Sequence, residues 1–505
     1  MADKEPVSVP VPVSVLALKT DSVHTHDTPS AIEQTMDDKT DVKAEVEETP
    51  PIQAAVLDEA DGVCEKAGDT AERVREDPAV EEKKQQIRDA CRAADFGRLQ
   101  KLAVLPGGFI SNELRQIAWP LLLGIPVDGD HVDPAVAAAS AGVTSTSRDW
   151  TQLPAHHDEE QVQLDVNRAF VYYPRGLSAA DEASQKEQLS DLIVEVLRRH
   201  PFLCYFQGFH DICQVFLLVL AATPAIRTPA VTRLALLRIR DFMLPTIDAA
   251  VQQLLLLPDI LHAADPALWS HLRLAQHPRP FFALSGTLTM YAHDVQTLGA
   301  IARVFDVLLA RPPAFSLYFF AAIACAHREA LFATPADEPE MLHHILSKLP
   351  ARAGGDDSDD SDDLFGVKGA ASSLDSLVAE ADRLLEEYPP HSLSSWRSVP
   401  TSSVLKTVEI AADAQTVDDG EELFHEHVLE IARAEKRRQQ IARVRKVLRQ
   451  YRGPIRAVGV AVLVGVIAVA LQRTAGGRGG TSHALMSGPM AKISTILSRL
   501  GIYLG

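Results

Sequence analysis

The chain has 505 residues, 46% of them apolar, and a formal net charge of −19. That is enough for two to four domains and a large core. The negative balance argues against general nucleic-acid binding, which needs a basic face toward phosphate. The five cysteines, Cys64, Cys91, Cys204, Cys213 and Cys325, form no CxxC pair and no metal-ligand spacing, so the thiols read as reduced and no metal site is expected.

Residues 1–81 are rich in Pro, Glu, Asp, Thr and Val with almost no aromatics, and read as a disordered acidic region. No apolar stretch follows a basic start, so a secretory signal is not expected. From 82 to about 400 the apolar residues recur at helical spacing, for example in "KKQQIRDACRAADFGRLQKLA", "KEQLSDLIVEVLRRH" and "GFHDICQVFLLVLAA". No period-2 strand run interrupts them, and no repeat of fixed period appears. The expectation is an all-α, multi-helix domain. A stretch rich in Ala, Asp and Ser (127–150) reads as a loop, and 351–372, which carries "DDSDDSDD", as a disordered acidic insertion. Residues 401–453 read as an acidic linker followed by a basic helix.

The C-terminal region has a different character. "AVGVAVLVGVIAVAL" (457–471) is uninterrupted apolar sequence. As a helix it spans roughly 22 Å, and about 27 Å if it starts at Pro454, against a hydrocarbon core of about 30 Å. Arg456 and Arg473 can snorkel to opposite interfaces. The preceding "RRQQIARVRKVLRQYRGPIR" is strongly basic, as on a cytosolic approach. Residues 454–473 are therefore expected to span a bilayer as a tail anchor, with a short lumenal tail at 474–505, of which 490–504 has an apolar face. The basic helix before the span suits an anionic leaflet or a solvated stalk.

No GxxxxGK[ST], GxSxG or HExxH occurs, so no nucleotide hydrolysis by the chain alone is expected. Four other segments do carry a pattern. "RQIAWPLLLG" places Arg115 and Trp119 as RxxxW. "VQLDVNRAF" places Val162, Asp165 and Arg168 as IxxDxxR, with Val at the first position. "YFQG" places Tyr205, Gln207 and Gly208 as YxQG, with Asp211 a turn later. Arg303 and Asp306 follow in "ARVFDVLLA". Together, in this order, these resemble the TBC domain of Rab GTPase-activating proteins over about 85–395. The C-terminal anchor makes the chain most similar to the tail-anchored branch of that family.

The resemblance implies an all-helical fold and a Rab-family GTPase in its GTP form as partner, by family precedent the Rab of ER-to-Golgi traffic, met at the endoplasmic reticulum membrane with the TBC domain facing the cytosol. The chain then needs no cofactor, because GTP and Mg²⁺ come with the GTPase. Phosphoryl transfer demands positioning and charge stabilisation. An arginine supplied in trans offers a planar fork that stays charged, worth roughly 10³ to 10⁵ in rate. A primary amide can hold the attacking water. By resemblance Arg168 and Gln207 are these two groups. Asp165, Tyr205 and Gly208 would support them, with Asp165 orienting Arg168 one turn away and Gly208 letting the backbone approach the partner. Arg115, Trp119, Asp211, Arg303 and Asp306 would be scaffold. The bland alternatives are that Gln207 caps the following helix and Arg168 is a solvated surface charge. At the level of function the alternative is a catalytically silent Rab-binding scaffold or tether on the same membrane.

Overall fold

The computed structural model describes residues 78–129, 131–144, 147–352, 373–408, 415–450 and 465–469. Apart from one antiparallel bridge between Asp128 and His131, the regular structure in them is helical. The first helices are α1 (Pro78–Arg92), α2 (Phe96–Val104), α3 (Asn112–Leu122), α4 (Pro134–Ser140), α5 (Glu159–Val166), α6 (Ala179–Arg199), α7 (Phe209–Val219) and α8 (Pro224–Leu237). A middle group follows as α9 (Asp248–Leu254), α10 (Leu256–Ala264), α11 (Pro266–His271), α12 (Leu284–Leu288), α13 (Leu298–Ala310), α14 (Phe315–Ala326) and α15 (Arg328–Ala333). The last are α16 (Pro339–Arg352), α17 (Leu374–Glu387), α18 (Val404–Thr407) and α19 (Val417–Gln450).

Helix starts follow local chemistry. Asp95, Ser178, Thr297 and Ser373 accept backbone N–H groups at the starts of α2, α6, α13 and α17, satisfying donors the helix leaves open. Prolines open α4, α8 and α11, where a missing N–H is harmless. The helices α3, α7 and α13 meet at the centre. There Trp119 packs edge-on to Phe216 at 5.5 Å and against Phe305 at 5.7 Å, contacts worth about 0.5–1.5 kcal/mol each beyond area burial.

Three segments differ from their sequence reading. The 127–150 stretch holds α4, whose Ala137 is fully buried; small alanines let it pack closely, though its composition resembles a loop. Pro78–Glu81, placed in the acidic N-terminal region, open α1, which buries Ile87, Ala90 and Cys91. The acidic stretch before 430 is not a linker: α19 begins at Val417 and buries Phe424 and His427. Residues 1–77 and the 353–372 part of the acidic insertion lie outside the described residues. So do the expected span 454–473, apart from the helical turn 465–469, and the tail 474–505. No helix among the described residues is long and apolar enough to cross a membrane.

Candidate functional site

Arg168 lies just beyond the C-terminal end of α5. The helix buries Val162, Asp165 and Val166, and Lys186 donates to the Asn167 carbonyl at its end, a favourable place for a cation. The chain then turns away. Phe170 takes a left-handed φ of +64°, and its N–H donates to Gln214 Oε1 at 3.1 Å, while Gln214 Nε2 donates to the Tyr173 carbonyl at 3.0 Å. This buried amide on α7 clamps both ends of the 170–173 loop. Arg168 is left outside, with its side chain 65% exposed, and donates through Nη2 to the fully buried Asp165. The i,i+3 pair inferred from spacing is present.

Gln207 reaches the same place from the segment between α6 and α7. Tyr205 N–H donates to Asp158 Oδ2 at 2.9 Å, His156 Nε2 lies 3.0 Å from the Leu203 carbonyl, and Cys204 N–H donates to the Met243 carbonyl at 2.8 Å. The Tyr205 hydroxyl donates to Asp165 Oδ2 at 2.9 Å, so one buried carboxylate braces both segments. Burial beside that carboxylate raises the phenol's pKa far above its usual value. Gln207 is exposed, and its amide makes no hydrogen bond among the described residues. The helix-cap alternative is not realised: the N-cap of α7 is Gly208, with no side-chain cap.

Gly208 has a role within the fold. It is buried, with φ +107°, and a Cβ there would meet Thr289 Cγ2 at 2.5 Å. Its lack of a side chain allows the turn and the internal approach to Thr289.

Arg168 and Gln207 line one open cleft of about 220 Å³ together with the 169–173 loop, His210, Asp211, Gln214, Ala292 and His293. Asp211, expected in the scaffold, belongs here because the first turn of α7 points it outward. Its Oδ1 lies 3.3 Å from His210 Nε2 and its Oδ2 3.1 Å from His293 Nδ1. Burial lowers the pKa of His210, whereas the hydrogen bond to Asp211 raises that of His293. Within that lining Val171 and Tyr172 are exposed apolar side chains, and Leu164 on α5 is exposed as well.

The other four motif residues form a buried fan. Asp306 accepts from Arg115 Nε and Nη2 at 2.9 Å, Trp119 Nε1 at 2.8 Å and Phe109 N–H at 2.9 Å. Arg303 donates to the carbonyls of Ala103, Val104 and Leu105 and to Asp375. These arginines are saturated by the fold. His156, His157 and Asp158 bring possible metal-ligating atoms within 4.8 Å of one another. Both ring nitrogens of His156 are already engaged, one with the Leu203 carbonyl and the other accepting from Asp158 N–H, so the cluster ties loops together.

Sequence reasoning missed Gln214, His293 and the exposed Val171 and Tyr172. Gln214 had a signal, a lone amide inside the apolar run of α7. His293 had none, since it is brought to Asp211 from 82 residues away.

The Rab-GTPase-TBC domain profile matches residues 112–332, which contain both cleft-lining segments. GTPase-activating protein gyp10 of Schizosaccharomyces pombe is 32% identical over 274 residues, covering 54% of this chain and 69% of that protein. TBC1 domain family member 20 of Homo sapiens is 28% identical over 366 residues, covering 71% of this chain and 80% of that protein. GTPase-activating protein GYP8 of Saccharomyces cerevisiae is 24% identical over 262 residues, covering 46% and 48%. With a helical domain built on the Arg115–Trp119–Asp306 fan, and with the fission-yeast relative matched at 32% identity over 69% of its length, the chain belongs to the Rab-GTPase-TBC domain family.

Proposed function

We propose that this chain accelerates GTP hydrolysis on a Rab-family GTPase by presenting Arg168 and Gln207 to the nucleotide its partner carries. The observation that carries this reading is the convergence of two under-satisfied polar groups on one cleft. Arg168 uses a single donor internally, leaving the rest of its fork for phosphate oxygens as charge builds on them. The free Gln207 amide can accept a proton from the attacking water and donate elsewhere. At about 220 Å³ the cleft is smaller than the ~300–1,000 Å³ usual for small-molecule sites. This fits a surface that completes a partner's active site, with GTP and Mg²⁺ held by the GTPase. Val171 and Tyr172 in its lining offer apolar contacts.

The apolar run at 457–471 and its basic approach support anchorage in a membrane with the TBC domain on the cytosolic side; that this membrane is the endoplasmic reticulum, and the substrate the Rab of ER-to-Golgi traffic, rests on the resemblance to the tail-anchored branch of the family. The test is phosphate release from a panel of GTP-loaded Rabs by the full chain, beside Arg168→Ala and Gln207→Ala. Acceleration of one Rab, lost in both variants while binding survives, is expected. Binding without acceleration by the wild-type chain would refute the reading and favour a silent scaffold.

A further inference from the structure

The segment bearing Gln207 is supported from behind by a part of the chain beyond the 112–332 family match, the start of α19. Two contact routes lead there. In the first, Glu421 Oε1 lies 2.8 Å from His200 Nδ1 at the end of α6, and the Phe202 ring sits 4.9 Å from Phe424. In the second, His427, fully buried on α19, has Nδ1 3.4 Å from Asp241 Oδ1 in the 3₁₀ turn Arg240–Phe242. That turn touches the loop twice. Phe242 packs edge-on to Phe206 at 6.1 Å, and the Met243 carbonyl accepts from Cys204 N–H. Phe206 immediately precedes Gln207.

The helix is seated closely. Gly420 faces α8, where a Cβ would come within 3.0 Å of Leu236 Cβ and Leu237 Cδ2. A shift of α19 is therefore transmitted to α8 and to the Arg240–Phe242 turn, because packed side chains leave little slack. The Gln207 side chain makes no hydrogen bond of its own among the described residues, so its placement depends on the backbone that carries it.

We propose that residues 417–427 of α19 are a positioning element for Gln207, so that GTPase activation requires this helix to be docked. The proposal rests on Gln207 acting in hydrolysis. Phe424 and Glu421 are its positioning residues; neither lines the cleft.

The test uses the full chain and a GTP-loaded Rab that the wild type accelerates, with kcat and KM measured separately. Phe424→Ala is expected to lower kcat about tenfold or more with KM nearly unchanged, since displacements of about 1 Å cost on the order of 10²-fold. Glu421→Ala, at the edge of the contact, is expected to lower kcat about threefold. Glu426→Ala, exposed on the same helix, should leave kcat unchanged. On the residual acceleration left in a Gln207→Asn background Phe424→Ala should have almost no further effect, whereas in an Arg168→Lys background it should keep its full effect. A merely structural role would lower both backgrounds equally, and that result would overturn the proposal. So would unchanged kcat in folded Phe424→Ala and Glu421→Ala while Gln207→Ala abolishes activity. If Phe424→Ala fails to fold, the Glu421→Ala cycle decides. If Gln207→Ala itself keeps full activity, the reading of Gln207 fails, and the proposal with it.

Discussion

Asp165 is the point at which the two candidate catalytic segments are tied together, and Asp165→Asn separates orientation from chemistry. The carboxylate is fully buried and accepts from Arg168, from Gln161 Nε2 at 3.1 Å and from the Tyr205 hydroxyl at 2.9 Å. Asparagine keeps the volume and one acceptor oxygen, but its NH₂ must face either the guanidinium or the phenol. The phenol can adapt, because it lies 3.2 Å from His210 Nδ1 and can donate there instead. One charge-assisted bond of about 1.5–3 kcal/mol then becomes a neutral one of about 1 kcal/mol. Arg168 is 65% exposed, so its lost ion pair adds only about 0.2–1 kcal/mol. The expected stability loss is about 1–3 kcal/mol. The expected rate loss is larger than that pair suggests. An unrestrained arginine has up to about 2 kcal/mol of rotamer entropy to give up on reaching the phosphate, which corresponds to a loss of up to about 30-fold in kcat. Arg168→Ala should lose roughly 10³-fold or more. Single-turnover phosphate release on a GTP-loaded Rab measures all three proteins. A loss in Asp165→Asn equal to that of Arg168→Ala would mean that the carboxylate acts on the reacting groups directly. An unchanged rate would mean that the ion pair plays no part in the transition state. Either would refute the reasoning.

Other perturbations follow from the same geometry. Asp306→Ala strands the buried Arg115 charge, at about 3–5 kcal/mol, and orphans two N–H donors at about 1–3 kcal/mol each. The sum rivals a whole domain's stability, so loss of cooperative unfolding by circular dichroism is expected, and a melting curve like the wild type's would refute it. Gly208→Ala should destabilise by about 2 kcal/mol or more, from the positive φ and the clash with Thr289, and should lower kcat further by displacing Gln207; both are read from melting and phosphate release. Burial lifts the Asp294 carboxyl from 3.8 to about 6. The folded chain thus holds that proton more tightly than the unfolded chain, so stability from this group is present at acid pH and is lost as pH rises from about 4 to about 6. Asp294→Asn should stabilise by about 1–3 kcal/mol at pH 7.5 and by almost nothing near pH 4, as checked by urea unfolding at both.

Local relations were legible in the sequence and distant ones were not. Asp165 and Arg168 are one helical turn apart, so their pairing follows from spacing alone. The RxxxW residues and Asp306 form a single hydrogen-bonded fan across 191 and 187 residues; each motif is visible by itself, but nothing local says that one answers the other. The motif marks Gly208 as necessary, but its internal approach to Thr289 is not legible, because a sequence does not reveal which side a glycine's missing side chain would have faced. The start of α19 was misread because charge conceals its period. In "VDDGEELFHEHVLEI" the acids suggest a linker, yet Val417, Phe424, Val428 and Ile431 share a face at spacings of seven, four and three, and they pack on the core.

The contrast between arginines shows what the fold adds to the motif. Arg115, Arg303 and Arg168 are equally prominent in the sequence. Arg115 and Arg303 are almost wholly buried, and their donors end on Asp306, Asp375 and backbone carbonyls. Truncating either would first unfold its surroundings, because a buried arginine's partners are left unsatisfied with it. Arg168 has one internal partner, Asp165, and a fork otherwise open to solvent, so its removal disturbs less within the chain and takes away donors that the fold does not use. A residue whose loss spares the fold but abolishes activation is what an arginine supplied in trans must be, and of the three motif arginines only Arg168 has that geometry.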